Sequence, residues 1–166
     1  SNASYYIQNN NGANMRFCTT GDTCVNMNIT GFIGNWTYVT AVLDGTTGYF
    51  YKNGVYNSQN SSMNAIDYTS PLKLYLGYSS NAPTAIMDDV RIYSRALSAN
   101  EIKQLYNLGG SKISTVISRP AFSNIDSDMV GYWTFDGKNL INNVTDSSGS
   151  GNTGSLQNFP ATSSAV

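Results

Sequence analysis

Few side chains in this 166-residue chain can do chemistry, and their spacing narrows the choice further. Histidine is absent, which removes imidazole metal sites, Ser-His-Asp and Cys-His triads and histidine acid–base catalysis together. The one glutamate, Glu101, stands three residues after Ser98, the spacing of a helix capping box. A glycosidase needs two carboxylates facing across a groove, separated by about 5.5 Å or about 6.5–9.5 Å. A single glutamate committed to a cap makes that reading weak. Two cysteines, Cys18 and Cys24, flank Thr19-Thr20-Gly21-Asp22-Thr23, a loop that places their Cβ atoms across a hairpin. The spacing predicts a disulfide and an oxidising compartment, against the alternative of two partly buried thiols. The bridge closes a short loop and contributes about 2 kcal/mol on the chain-entropy model. A CxxC redox or zinc site is excluded by spacing and by the lack of further ligands.

Asp88 is the acid with most to explain. If Val90 and Ile92 face the core, the two-residue period of a strand turns Asp88 inward and sends Asp89 outward with Arg91. An inward carboxylate must be hydrogen-bonded or metal-bound. Asp136 precedes Gly137 and either caps that turn or joins such a site. No EF-hand spacing is present, and Asp126 and Asp128 read as solvated charges. Tyr49, Tyr51, Tyr56 and Tyr78 fall on strands or turns where a ring could stack on the apolar face of a sugar, with a hydroxyl to bond it. The plainer reading is cross-strand packing. Trp36, Trp133, Phe50 and Phe135 are assigned to the core. Beyond Asn2-Ala3-Ser4 at the front, Asn-x-Ser/Thr sequons occur at Asn28, Asn35, Asn60 and Asn143, about the number that chance provides in so Asn-rich a chain.

The elements that must position these residues are mostly strands. Short alternating stretches lie between residues 4 and 30. Trp36–Leu43 is the next strand, followed by the turn Asp44-Gly45-Thr46-Thr47-Gly48. Tyr49–Lys52 then enters Asn53-Gly54, a favoured type I′ pair, and continues into Val55-Tyr56. Leu72–Gly77, entered at Pro71, Ile86–Tyr93 and Val130–Asp136 are further strands. One helix is predicted from Ala99 to Leu108, with Ser98 as N-cap, Leu97 and Ile102 as a hydrophobic staple and Gly109 as the C′ residue.

Charged residues make up 11% of the chain and the net charge is −1, so no basic field exists to recruit nucleic acid. No apolar run approaches the roughly 18 residues of a membrane span, and no membrane insertion is expected. Twelve Tyr and 15 Gly among abundant Asn, Ser and Thr favour a β-rich extracellular or cell-surface module.

Three segments together resemble the laminin-G-like, concanavalin A-like jelly-roll superfamily. Trp36 with Asp44-Gly45-Thr46-Thr47-Gly48-Tyr49-Phe50-Tyr51-Lys52-Asn53-Gly54 is similar to its "W…V…DGT…YxNG" hairpin. Residues 86–102, IMDDVRIYSRALSANEI, are similar to the "DDVRIYxRALSxxEI" signature that closes such domains. Gly131-Tyr132-Trp133-Thr134-Phe135-Asp136 with Asp146-Ser147-Ser148-Gly149-Ser150-Gly151-Asn152 is similar to the pattern that opens one.

The resemblance implies an all-β, concanavalin A-like antiparallel β-sandwich with one short helix near residues 99–108. It also implies an unusual order, since the closing pattern precedes the opening one. Residues 1–3 read as a remnant of tag removal. Residues 4–110 then form the rear of one sandwich, 111–129 a linker, and 130–166 the opening strand and loop of a second repeat. That opening strand completes the first sandwich in cis, as a permutation, or in trans, as a strand swap; a monomer is favoured over a swapped dimer. By the same resemblance, a structural Ca²⁺ would join the opening and closing strands through Asp88, Asp136 and main-chain carbonyls. The function implied is non-catalytic recognition of a glycan or surface protein within a tandem-repeat extracellular protein. The alternatives are a structural spacer or adhesin stalk with no ligand, and a glycoside hydrolase.

Overall fold

Residues 14–28 alternate apolar and polar side chains with a period of two, so a hairpin made from them has one face to bury. In the computed structural model, which describes residues 5–10, 12–66, 86–110, 125–136 and 143–155, this stretch supplies two strands of a three-stranded antiparallel sheet. Its order is β1 (Tyr5–Asn10), β2 (Asn14–Thr19), β3 (Thr23–Asn28). The register sets Phe17 opposite Val25 and Met15 opposite Met27, which gathers those four on one face. A second antiparallel sheet has the order β4 (Val39–Asp44), β5 (Thr47–Lys52), β6 (Val55–Asn60). Phe50 on β5 is fully buried and meets Phe17 edge-on, with ring centroids 6.4 Å apart. Phe17, Val25, Met27, Phe50 and Met63 form the core between the sheets, and Val39, Ala41 and Leu43 of β4 pack against it.

Both hairpins of the second sheet turn in two residues. Gly45 takes φ +58° between Asp44 and Thr47, so the predicted five-residue turn is shorter than expected. Asn53 and Gly54 both have positive φ, +51° and +75°, as a type I′ turn requires. Asn53 also exchanges bonds with the Tyr38 backbone: its N–H donates to Tyr38 O at 2.8 Å and its Oδ1 accepts from Tyr38 N–H at 2.9 Å. A Cβ on Gly54 would lie 3.0 Å from Tyr106 of the helix, so this glycine serves the turn and the helix contact together.

The helix α1 (Ala99–Gly110) buries Ile102 and Leu105. The capping box is formed, with Glu101 Oε2 accepting from Ser98 N–H and from Ser98 Oγ, each at 2.8 Å. The helix runs past Leu108, and Gly109 does not adopt the left-handed conformation expected of a C′ residue. Among the described residues, no helix is long and apolar enough to cross a membrane.

The structure divides into two compact units, one holding β1–β6 and α1, the other the remaining strands. In the second unit β7 (Val90–Tyr93) pairs antiparallel with β8 (Met129–Trp133), and β9 (Asn143–Val144) with β10 (Gly154–Ser155). Met129, Gly131 and Trp133 alternate to the buried side of β8. The Trp133 ring lies over Gly131, where a Cβ would come within 2.4 Å of it.

Several expected boundaries and assignments change. The first long strand begins at Val39 rather than Trp36, and Trp36 is 71% exposed in the preceding loop instead of lying in the core. That loop is closed by its own backbone, with Phe32 N–H donating to Ile29 O and Asn35 N–H to Phe32 O, so it does not join the sheet. β7 starts at Val90 rather than Ile86. β8 ends at Trp133, and Phe135, with φ +54°, is half-buried rather than core. Asp128 is not simply solvated, since its carboxylate is paired with Arg95 at 2.7 Å. The expected strand Leu72–Gly77, with Tyr78, lies outside the described residues.

Candidate functional site

Strand parity puts Tyr49 and Tyr51 on the face of β5 opposite Phe50. The register sets Tyr56 of β6 directly across from Tyr51, and their rings meet edge-on at 6.1 Å. A bulge between Phe50 and Tyr51 brings this pairing into line. Partial burial raises the Tyr51 hydroxyl above its ordinary pKa, and the neighbouring Tyr49 and Tyr56 hydroxyls raise it further. Three of the four tyrosines expected to contact a ligand therefore form one cluster of ring edges and hydroxyls, with Tyr56 53% exposed, while Tyr78 lies outside the described residues. Thr40, across from Tyr51 on β4, adds a buried Oγ1 with no hydrogen-bond partner among the described residues. No cationic side chain belongs to this face of β5, since Lys52 is on the other parity and bonds Thr30 O.

Trp36, expected in the core, is the most exposed of the misplaced aromatic residues. Its loop holds Gly31 and Gly34 at positive φ, and Asn35 Nδ2 donates to the carbonyls of Gly31 and Ile33. The loop is thus stiffened by its own polar groups while Trp36 and Ile33 face solvent.

The acids of the second unit are arranged differently from expectation. Asp89 has φ +53°, and this left-handed residue breaks the alternation between Asp88 and Val90. Asp88 is consequently exposed rather than inward. Asp89 instead accepts from the Tyr132 hydroxyl at 2.7 Å and pairs with Arg91 at 3.5 Å, while Arg91 stacks over the Tyr132 ring. Asp88 Oδ1 accepts the Asp89 N–H at 2.8 Å. The part of the Asp88 carboxyl that neighbours cover pushes its pKa up, the Asp89 N–H pulls it down, and the charges of Asp89 and Asp136 push it up again. Asp88 and Asp136 are therefore close enough to feel one another. Among the described residues no three acidic, cysteine or histidine side chains are grouped to hold a metal.

Asp146 carries the densest polar arrangement; its segment resembles the pattern that opens such domains, but the resemblance gave this side chain no role. Its carboxylate accepts from the N–H groups of Tyr132, Ser148 and Asn152 at 2.8–2.9 Å and from Ser148 Oγ at 2.9 Å. Burial alone would raise its pKa, but these donors outweigh that cost and hold it down to about 2. Asn152 returns its carbonyl to Trp133 Nε1 at 3.0 Å and its Nδ2 to Val130 O at 2.7 Å. The loop is thereby clamped across β8.

Cys18 and Cys24 are joined by a disulfide across a directly opposed pair of β2 and β3, with Cα atoms 4.1 Å apart. That separation suits the close, non-hydrogen-bonded type of antiparallel pair. Cys18 is fully buried, and beside the bridge Thr19 and Thr23 share a hydroxyl–hydroxyl bond at 3.0 Å.

Comparison with known proteins identifies the family. A family model described as the concanavalin A-like lectin/glucanases superfamily, of laminin-G type, matches residues 1–103. No curated protein sequence matches the chain. A similar solved structure is residues 221–444 of an S-layer domain-containing protein from Clostridium thermocellum ATCC 27405, 27% identical, with a TM-score of 0.42. The match covers 64% of this chain and spans 58% of that one. With antiparallel sheets, a capped helix and a family match over most of its length, the chain belongs to the laminin-G-type branch of the concanavalin A-like lectin/glucanase superfamily.

Proposed function

We propose that this is a non-catalytic recognition module of a cell-surface or extracellular protein, and that it binds carbohydrate on the outer face of β5 and β6. The carrying observation is the convergence of Tyr49, Tyr51 and Tyr56 opposite the core face. Ring faces and edges accept the C–H side of a pyranose, and the hydroxyls bond its polar rim. With no cation on this face of β5, a neutral glycan suits it better than an acidic one. Trp36, open to solvent on a stiffened loop, offers a second stacking surface. Glu101 is bonded within its capping box, which supports a non-catalytic role. A glycan array is the test. Reproducible binding that falls at least tenfold in Tyr56→Ala, with an unchanged melting temperature, is expected; a flat array supports a spacer repeat instead.

We further propose closure in cis, as a monomer, for which β7 and β8 pair as closing and opening strands; a stable dimer by light scattering would overturn it. We also propose that Asp88 and Asp136 hold a Ca²⁺ with main-chain oxygens. Their mutual repulsion favours a bound cation, while Asp89 is engaged by Tyr132 and Arg91. Two carboxylates make a weak site, with an affinity of order 10⁻⁴–10⁻³ M by analogy with extracellular modules. Millimolar Ca²⁺ should raise the melting temperature by several degrees and chelator should reverse this. Identical melts would remove the ion from the reading.

A further inference from the structure

We propose that Asn28 is an acceptor for N-linked glycosylation, singled out by the fold from the four sequons that fall among the described residues. The acceptor atom in each is the side-chain Nδ2. In Asn35 this atom donates to Gly31 O at 3.2 Å and Ile33 O at 3.3 Å, and so holds its loop together. In Asn60 it donates to Cys24 O at 2.9 Å, partly buried where β6 meets β3. Neither can receive a bulky sugar without giving up a structural bond. Asn143 lies in β9, paired with Ser155 of β10 and followed by the buried Val144, so its backbone is fixed as strand.

Asn28 is strand-paired too, with Asn14 of β2, but it ends its strand, and its Nδ2 carries none of the structural bonds that Asn35 and Asn60 make. It is the last residue of β3 and, by strand parity, projects from the sheet face away from Val25 and Met27. It is exposed, and its Nδ2 makes no hydrogen bond among the described residues. Its Oδ1 accepts the Thr30 N–H at 2.7 Å, which bends Asn28-Ile29-Thr30 into an Asx turn and leaves Nδ2 outward. Thr30 is exposed too, so the hydroxyl that defines the sequon is accessible. Independently, the Cys18–Cys24 bridge in the same sheet indicates passage through an oxidising compartment, outside the cytosol, where glycan transferases work. The co-reactant is a polyprenyl-pyrophosphate-linked oligosaccharide. Nδ2 bonds to the anomeric carbon, the C–O bond to the pyrophosphate breaks with its electron pair leaving on phosphate, and the lost Nδ2 proton passes to a base of the transferase.

The test is to secrete the whole chain from a host whose secretory pathway carries an oligosaccharyl transferase, then measure intact mass and map glycopeptides. One glycan is expected on Asn28, removed by peptide-N-glycosidase and absent from Asn28→Gln. Thr30→Ala, which keeps Asn28 and its turn, should also lose the glycan, and Thr30→Ser should keep it. Asn143→Gln should leave the mass gain unchanged. An unmodified wild-type chain, or a mass gain that survives Asn28→Gln, would overturn the proposal.

Discussion

The loop between β2 and β3 and the loop between β9 and β10 are fastened by opposite means. The first closes on a covalent bond between residues six apart. The second closes on the Asp146 carboxylate, which takes donors from 14 residues upstream and six residues downstream. A disulfide acts chiefly by restricting the unfolded chain, so its contribution barely depends on pH. The carboxylate acts through charge-assisted bonds that exist only in the folded state. One fastening therefore answers to reductant and the other to acid.

Removing Asp146 should have the largest effect. Asp146→Ala leaves three backbone N–H groups without their acceptor and should cost about 3 kcal/mol in urea unfolding. A loss below about 1 kcal/mol would show that water replaces the carboxylate without difficulty. Replacing both cysteines by alanine should cost about 2 kcal/mol, the loop-closure value for so short a ring. An equal or greater loss than that of Asp146→Ala would invert the ranking of the two fastenings. The smallest effect to resolve is the pH profile. The folded pKa of Asp146 is depressed to about 2, so its contribution is complete above the unfolded value, near 3.8, and is lost as the pH falls toward 2. Stability of the wild type should fall over that window, Asp146→Asn should flatten the fall, and the cysteine variant should keep it. A cysteine variant with a flattened profile would contradict the division.

The two fastenings also differed in how legible they were. Cys18 and Cys24 announce their pairing because both ends and the turn lie within seven residues. The Asn53-Gly54 turn and the Ser98/Glu101 box are equally local, and both are formed where expected. Asp146 gave no such signal, because its meaning depends on Tyr132 and β8 coming alongside, which no short window contains. Asp88 failed for a related reason. The parity argument was sound for an unbroken strand, but the left-handed Asp89 interrupts it, and a non-glycine residue gives little warning of that conformation. Trp36 was misplaced through an average preference of tryptophan for burial, which a glycine-bent loop overrides.

The junction of β6 with β3 carries one more consequence. Ser58 Oγ and Asn60 Nδ2 donate to the carbonyls of Asn26 and Cys24, two of the three acceptors that β3 by strand parity turns away from β2. A strand arriving from another molecule would find those acceptors already engaged. Two polar side chains thus guard the margin of the sheet against fibril-like growth.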